Sequence, residues 1–323
     1  ATAAFWRCNS SFAGDLSRSF VGAAASETAT FEGGVPPSPT PPSPAHSLAS
    51  PGTSTEAFIF VHGYNCPLDW ACMRLAQLLA LGRFSPSVTP FVFSWPCGQI
   101  FAYHEVQRQL PVHAVDLSCF IRELHRSGIR NVHLMAHSMG CELIDAAVPA
   151  LQALLTSLGG TSDGACSAAP GSSEGALQVK TITFFNATCP REPFLAEEGG
   201  LTQLLRLCDR LTLYCDREDG ALRAAELIGR RGLCLGRCTE PLTASQAEGS
   251  YRRVDVIDCT SMDANVSGMR HSYFDLNTHI VADLKELICE GKAAQYRSRL
   301  VRTARHRSAN VFAFLAPPVF LNW

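Results

Sequence analysis

The stretch NVHLMAHSMGCEL at residues 131–143 is an apolar run that ends at a serine and continues at once into a helical pattern. A serine at the tip of such a strand-to-helix turn is typical of a nucleophile elbow, where its backbone is held in a strained conformation. The residues two positions before and after it must be small, because strand and helix approach closely there. Here they are Ala136, where glycine is usual, and Gly140. Ser138 is therefore the candidate nucleophile, with a chance strand-turn-helix serine as the alternative.

Short apolar runs alternate with longer helical patterns on both sides of this stretch. The predicted strands are 57–61, 90–94, 132–136, 179–185, 211–215 and 254–259, each of a length typical of strands buried on both faces. The predicted helices are 68–81, 112–125, 141–155, 202–207, 221–228 and 278–289. This alternation predicts an α/β fold with a mostly parallel sheet of at least six strands and helices on both faces. Residues 156–178 and 229–251 are predicted as surface loops.

A second turn follows the first predicted strand, in the sequence AFIFVHGYN at 57–65. Gly63 allows the main chain to turn at the sheet edge and to point an N–H group toward the serine. Acyl transfer needs such donors, because the oxyanion of its intermediate must meet N–H groups that are already in place. The predicted donors are the backbone N–H groups of Tyr64 and Met139, and His62 is expected to anchor the turn by hydrogen bonds.

These motifs resemble the α/β-hydrolase superfamily. The closer resemblance is to a branch of serine hydrolases with the motifs F-V-H-G-Y-N, F-S-W-P, A-H-S-M-G and H-S-Y-F, which stand here at 60–65, 93–96, 136–140 and 271–274. The resemblance covers about residues 56–290 and implies an α/β-hydrolase fold. It also implies a catalytic triad in the chain order serine, acid, histidine.

In that order the acid comes after a strand that follows the serine. The run LTLYCDRED at 211–219 contains the predicted strand 211–215 and then three acidic residues. Asp219 is the predicted acid, because the acid of this branch lies a few residues into the loop, before the next helix; Asp216 is the reserve. Capping the helix is the alternative role for Asp219, and we expect one carboxylate to serve only one of these geometries. His271 is the predicted base, with a capping or solvated histidine as the alternative.

The resemblance implies an esterase- or lipase-like hydrolase that acts on a small acyl substrate without a metal or an organic cofactor. Ser138 would attack the acyl carbonyl after losing its proton to His271, and Asp219 would orient the imidazole. Trp95 is predicted to line the acyl pocket, with simple core packing as the alternative.

The composition changes outside residues 56–290. Residues 1–32 are predicted as an N-terminal extension, residues 33–55 as a Pro/Ser-rich linker, and residues 291–323 as a basic, then apolar C-terminal tail. The tail holds six Lys and Arg residues and no acid. Such a tail packs back on its own domain, enters the groove of a protein partner, or lies on an anionic membrane surface. The sequence leaves all three open.

The overall composition narrows the choice of function. With 27 Lys and Arg against 29 Asp and Glu, nucleic acid is not an expected partner. Fourteen dispersed cysteines without a C-x-x-C pair predict free thiols in a reducing intracellular compartment. The Arg- and Ser-bearing residues 1–32 favour a mitochondrial or other organellar location, with the cytoplasm as the alternative. No apolar run is long enough to predict a membrane-crossing helix. The linker and tail also suit a rival function, a hydrolase-fold accessory subunit of a larger, membrane-associated mitochondrial assembly with weak or lost catalysis.

Overall fold

The structure is a computed structural model that describes residues 4–7, 55–98, 102–159, 175–243, 252–262 and 269–315. The strands are β1 (Ala4–Arg7), β2 (Glu56–Val61), β3 (Val88–Ser94), β4 (Asn131–His137), β5 (Gln178–Phe185), β6 (Cys208–Cys215), β7 (Val254–Asp258), β8 (Leu300–Arg302) and β9 (Val311–Phe314). The α-helices are α1 (Leu68–Gly82), α2 (Tyr103–Arg126), α3 (Met139–Ser157), α4 (Arg191–Leu195), α5 (Gly200–Leu207), α6 (Gly220–Gly229) and α7 (Thr278–Glu290). Single 3₁₀ turns cover Leu235–Arg237, Ala294–Tyr296 and Ala304–His306.

The described strands form one sheet in the order β1-β3-β2-β4-β5-β6-β7-β9-β8. Every neighbouring pair is parallel except β8 and β9, which are antiparallel. The chain passes from β2 to β3 and then back beside β2 to β4, and β5, β6 and β7 follow outward in sequence order. Beyond β7 the order is reversed, because β9 pairs with β7 and β8 lies at the edge. The predicted α/β-hydrolase fold, with a mostly parallel sheet and helices on both faces, is confirmed.

Strand β2 shows why the sheet is covered on both faces. Ala57, Ile59 and Val61 pack in one core cluster, together with residues of α2, α3 and α5. Phe58 and Phe60 point the other way into a second cluster, which includes residues of α1 and α7. Side chains alternate between the two faces of a strand, so a run without polar residues requires apolar cover on each side. Full burial of one such phenylalanine contributes about 2–3 kcal/mol to folding.

Helix α2 begins at Tyr103 rather than at residue 112, where the sequence predicted its start. The prediction began after Pro111, but the helix continues through that proline. The missing N–H of a proline removes one helical hydrogen bond. Val106 and Leu110 are buried in the core cluster on the earlier turns, and their packing offsets that loss.

The terminal segments outside residues 56–290 also contribute strands to the sheet. Strand β1 lies within the predicted N-terminal extension and pairs with β3. Strands β8 and β9 lie within the predicted tail, and β9 pairs with β7, so that Val311, Phe312 and Phe314 are buried. The reason is that β7 would otherwise present an unpaired row of backbone N–H and C=O groups. Residues 33–54 of the predicted linker and 316–323 of the tail lie outside the described residues.

Arg297 ties the predicted tail to the domain from inside the core. Its side chain is 0% exposed, and its Nη1 and Nη2 atoms each lie 3.0 Å from a carboxylate oxygen, of Asp283 and Asp255 respectively. Nη2 also donates to the hydroxyl of Thr212 at 3.2 Å. One cation of the basic tail is therefore a buried structural partner of two carboxylates, which its place in the sequence does not reveal.

Helix α3 has the length and apolarity of a membrane span, and it is the one described helix that does. Of its most apolar window, 61% is buried inside the protein. It packs against α2, α5 and the sheet, so its apolar character is that of a core helix.

The cysteines of the described residues are all free thiols, while Cys8 and Cys166 lie outside those residues. Several are buried in the core, and burial raises the pKa of the Cys208 thiol to about 12. Such thiols remain protonated and behave as small apolar side chains.

Candidate active site

The three predicted triad residues lie at the carboxyl-terminal edge of the sheet. Ser138 stands between β4 and α3, Asp219 caps α6 after β6, and His271 lies on the segment between β7 and α7. Parallel strands end at the same edge, so residues far apart in sequence meet there. The side chain of Asp219 is 0% exposed and that of His271 is 17% exposed.

Ser138 has the backbone conformation of a nucleophile elbow. Its φ is 55° and its ψ is −125°, in a region that residues other than glycine rarely adopt. Its N–H donates to the carbonyl of Phe185 at 2.9 Å, and its carbonyl accepts from the N–H of Cys141 at 3.0 Å. These two bonds hold the strained turn between β4 and α3. Ser138 is 7% exposed.

Two glycines allow the backbone to approach Ser138 closely. A Cβ atom at Gly140 would lie 2.5 Å from the carbonyl oxygen of Val61 and 2.6 Å from that of His62. A Cβ atom at Gly63 would lie 2.8 Å from the Cβ of Ser138. The turn after β2 and the elbow after β4 are therefore in direct contact, and neither glycine can carry a side chain without a shift of the main chain.

The predicted acid and base are joined by a hydrogen bond. Nδ1 of His271 lies 2.7 Å from Oδ2 of Asp219. An ionised carboxylate can only accept, so Nδ1 carries the proton and Nε2 of His271 is left with its lone pair. The side-chain amide of Asn186 donates to the same Oδ2 at 2.6 Å. The acid is thus fixed by two side-chain donors.

Asp219 also caps helix α6, because its Oδ1 accepts from the N–H of Leu222 at 2.9 Å. The sequence predicted that this carboxylate would serve either the helix or the histidine. The structure corrects that expectation: one oxygen serves the helix and the other serves His271. The cap therefore helps to hold the carboxylate whose other oxygen contacts the imidazole.

The reserve acid, Asp216, pairs with the residue before His271. Its Oδ2 accepts from Nε of Arg270 at 2.9 Å, and the N–H of Glu218 donates to Oδ1 at 2.8 Å. Burial raises the pKa of Asp216, while the guanidinium of Arg270 opposes that rise. In the structure Asp216 holds the histidine-bearing segment, whereas Asp219 contacts the histidine itself.

His137 supports the same segment from the strand side. Its Nε2 lies 2.7 Å from the backbone carbonyl of His271, and the two rings are 4.6 Å apart. A carbonyl only accepts, so His137 donates through Nε2–H. Burial and the neighbouring His271 lower the pKa of His137 well below its ordinary value, so this donor is a neutral imidazole.

His62 and Trp95 lock the turn that carries Gly63. The N–H of Trp95 donates to Nε2 of His62 at 3.3 Å, so the proton of His62 resides on Nδ1, which lies 3.0 Å from the carbonyl of Gly63. The indole N–H of Trp95 donates to the carbonyl of His62 at 2.9 Å. Burial lowers the pKa of His62 to about 4, which keeps it neutral. Trp95 is 3% exposed, so its ring packs beneath the turn, in contrast to the predicted pocket wall.

The two predicted oxyanion donors lie on the two turns that meet at Ser138, Tyr64 on the turn after β2 and Met139 on the elbow after β4. Met139 is the first residue of α3, so its N–H has no acceptor one turn earlier within the helix. Tyr64 follows Gly63, and its hydroxyl accepts from the N–H of Ala102 at 3.0 Å, while its ring meets the edge of Tyr103. The side chain of Tyr64 thus connects the turn after β2 to the start of α2.

A buried carboxylate lies one helical turn beyond the serine. Glu142 accepts from the amide of Gln107 at 3.0 Å and from the hydroxyl of Thr188 at 2.5 Å, and it pairs with Arg231 at 2.6 Å. Burial raises the pKa of Glu142, and Arg231 opposes that rise. The cluster joins α3 to α2, to the segment after β5 and to the segment after α6.

Asn186, Arg270 and Glu142 were not predicted from the sequence. Asn186 directly follows β5, and polar residues after a parallel strand are candidates for a site at that edge. Glu142 could have been noticed from its spacing of one helical turn after the predicted nucleophile. Arg270 precedes the predicted base, but no sequence pattern identifies its partner.

Comparison with known proteins places this chain in a family. No curated protein matches the chain. A family model described as "alpha/beta hydrolase of unknown function (DUF900)" matches residues 50–290, which include Ser138, Asp219 and His271. The match covers most of the chain and the sheet edge just described, and the chain therefore belongs to this alpha/beta hydrolase family.

Proposed function

We propose that the protein is a serine hydrolase that cleaves carboxylesters or related acyl bonds. One observation carries the proposal: a serine in strained elbow geometry shares a sheet edge with a histidine whose Nδ1 is hydrogen-bonded to a buried carboxylate at 2.7 Å. A helix N-cap explains one oxygen of Asp219 but does not explain the histidine on the other oxygen. The family supports hydrolase chemistry in general, and the triad and its acyl substrate are our proposal.

In the proposed mechanism, Oγ of Ser138 attacks the acyl carbonyl and forms the new carbon–oxygen bond. Nε2 of His271 takes the hydroxyl proton, and Asp219 stabilises the resulting imidazolium through Nδ1–H. The N–H groups of Tyr64 and Met139 stabilise the oxyanion. When the intermediate collapses, the bond to the leaving group breaks and His271 gives its proton to that group. Water, deprotonated by His271, then releases the acid and restores Ser138.

The test is covalent labelling of the full chain with a fluorophosphonate probe, with mass spectrometry to locate the adduct. We expect an adduct at Ser138 and hydrolysis of p-nitrophenyl acetate, both lost in Ser138→Ala. The matched control is Ser118→Ala, which removes the hydroxyl of another buried serine, on α2, and should leave labelling unchanged.

A folded wild-type protein that neither reacts with the probe nor hydrolyses the ester would overturn the proposal. That result would favour the rival accessory-subunit function. Part of the sequence support for that rival was the apolar tail, and the described part of the tail packs in the sheet of its own domain. Labelling equal in wild type and Ser138→Ala would place any reactivity at another residue.

A further inference from the structure

A cleft of about 630 Å³ opens at the amino-terminal edge of the sheet. Its lining comes from the starts of β6 and β7, from residues just before β7 and β9, and from the segment that carries β8. The proposed triad lies at the opposite edge. Strand β6 has eight residues, and a rise of about 3.3 Å per residue separates the two edges by about 25 Å. The cleft is therefore distinct from the candidate active site.

The lining of this cleft is strongly basic. Four arginines face it, Arg210, Arg252, Arg302 and Arg307, together with a single acid, Asp255. Within the described part of the chain, Arg252, Arg302 and Arg307 form no ion pair with a carboxylate. The cleft thus carries a positive excess that its own lining does not neutralise.

The one acid of the lining is already paired. Oδ2 of Asp255 lies 2.8 Å from Arg210 and 3.0 Å from the buried Arg297, and it accepts from the N–H of Ala294 at 3.3 Å. The charge of this carboxylate is thus balanced by two guanidinium groups. The field of the cleft therefore favours an anion.

Two of the four arginines are held in place before any ligand arrives. The guanidinium of Arg302 lies 4.9 Å from the centre of the Phe312 ring, and it donates to the carbonyl of Ala309. Arg210 is held by Asp255 and by the carbonyl of Arg252, at 3.3 Å. Each guanidinium has five N–H donors, so both retain donors for a ligand. Fixed donors lower the entropy cost of binding.

We propose that this cleft binds a small molecule that carries two or more phosphate groups, either free in solution or as the headgroup of a lipid. The planar fork of arginine matches phosphate oxygens, and several forks around one cleft suit several phosphates better than one. The volume is in the usual range for small-molecule sites. Tyr296, 69% exposed in the same lining, offers an aromatic surface beside the charges.

The test is isothermal titration calorimetry of the full chain with inorganic pyrophosphate, at about 100 mM NaCl so that weak surface attraction is screened. We expect saturable binding, tighter than for orthophosphate. The double substitution Arg252→Gln/Arg307→Gln should weaken it at least about tenfold, because two charged hydrogen-bond donors are lost. Co-sedimentation with phosphatidylcholine vesicles containing phosphatidylinositol 4-phosphate tests the headgroup as the source.

The matched control is Arg299→Gln/Arg305→Gln, which removes two exposed arginines of the same segment that do not line the cleft. Its binding should stay within about twofold of wild type.

Binding of the vesicles but not of free pyrophosphate, lost in the cleft variant, supports the proposal with a lipid headgroup as the source. Absence of saturable binding to both probes, or equal weakening in the cleft and control variants, overturns it. Neither outcome bears on Ser138, whose labelling should be unchanged in both variants.

Discussion

One carboxylate oxygen of Asp216 lies 2.9 Å from Nε and 2.8 Å from Nη2 of Arg270. Arg270 immediately precedes His271 and has a φ of 54°, in the left-handed region that non-glycine residues seldom adopt. Its Nη2 also donates to the carbonyl of Thr260 at 2.9 Å. The ion pair thus fixes the strained residue that delivers the proposed base, and Asp216 acts as a positioning residue for His271.

Arg270→Gln should lower kcat for p-nitrophenyl acetate about tenfold and leave KM nearly unchanged, because the base is misplaced while the acyl site is intact. Steady-state kinetics measure kcat and KM separately. Arg210→Gln breaks a comparable partly buried ion pair at the opposite edge and serves as the control. A stability loss with unchanged kinetics would show that Asp216 and Arg270 only support the fold.

Asp219→Asn separates the two roles of the acid. The amide retains an oxygen for the cap on Leu222, but its NH₂ group replaces the acceptor that faces His271 and Asn186. His271 must then adopt the other tautomer, so kcat should fall about 10³–10⁴-fold with little loss of stability. Asp219→Ala should lose the cap as well, at a further cost of about 1 kcal/mol in the free energy of unfolding. If Asp219→Asn retains activity within tenfold of wild type, Asp219 is not the catalytic acid.

Gly63→Ala tests the contact between the two turns. The new methyl group would lie 2.8 Å from the Cβ of Ser138, so the serine or the main chain must move. We expect the rate of fluorophosphonate labelling to fall at least about a hundredfold, since misplacement by about 1 Å has that effect. Gly175→Ala is the control, because a Cβ there has no atom within 4 Å. Equal labelling rates in the two variants would contradict the described approach of Gly63 to Ser138.

His62 makes stability depend on pH. Its pKa of about 4 in the folded protein lies below its ordinary value of 6.5, so the unfolded chain binds the extra proton between these values. The free energy of unfolding should therefore fall as the pH is lowered from 7 to 5, by about 2 kcal/mol from this residue. Urea unfolding at both pH values should show a smaller loss in His62→Asn than in wild type.

Other groups also make the free energy of unfolding depend on pH in this range, but their contributions cancel when His62→Asn is compared with wild type. Burial raises the pKa of Asp145 to about 6, which acts in the opposite direction, and His137 acts in the same direction as His62. Both are present in wild type and variant, so the difference isolates His62. If the free energy of unfolding falls equally in wild type and in His62→Asn between pH 7 and pH 5, His62 is not held neutral in the folded protein.

Arg297→Met should destabilise the protein by about 3–5 kcal/mol, because it leaves the carboxylates of Asp283 and Asp255 buried without this cation. Urea unfolding monitored by tryptophan fluorescence measures the change. Arg299→Met removes an exposed arginine two residues away and should change stability by less than about 0.5 kcal/mol. Similar small effects of both substitutions would show that residue 297 lies at the surface and that Arg297 does not tie this segment to the core.

The sequence by itself determined the fold, whereas the chain order of the candidate site was implied by the family resemblance. Apolar runs of strand length followed by helical patterns require a parallel sheet that is covered on both faces. The carboxyl-terminal ends of parallel strands lie at one edge of the sheet, and Ser138, Asp219 and His271 follow such strands. The small residues around Ser138 likewise indicated the elbow. These are local properties, since each depends on residues close together along the chain.

Only the tertiary structure decided which carboxylate meets which partner. Asp216 and Asp219 are three residues apart in the same loop, and the distinction between them depends on Arg270 and His271, which come from a distant segment. The terminal strands were not predicted for the same reason, because the composition of residues 291–323 does not show that β9 pairs with the edge of β7. Pairings between distant segments are set by packing and charge in three dimensions, and no local pattern of the sequence encodes them.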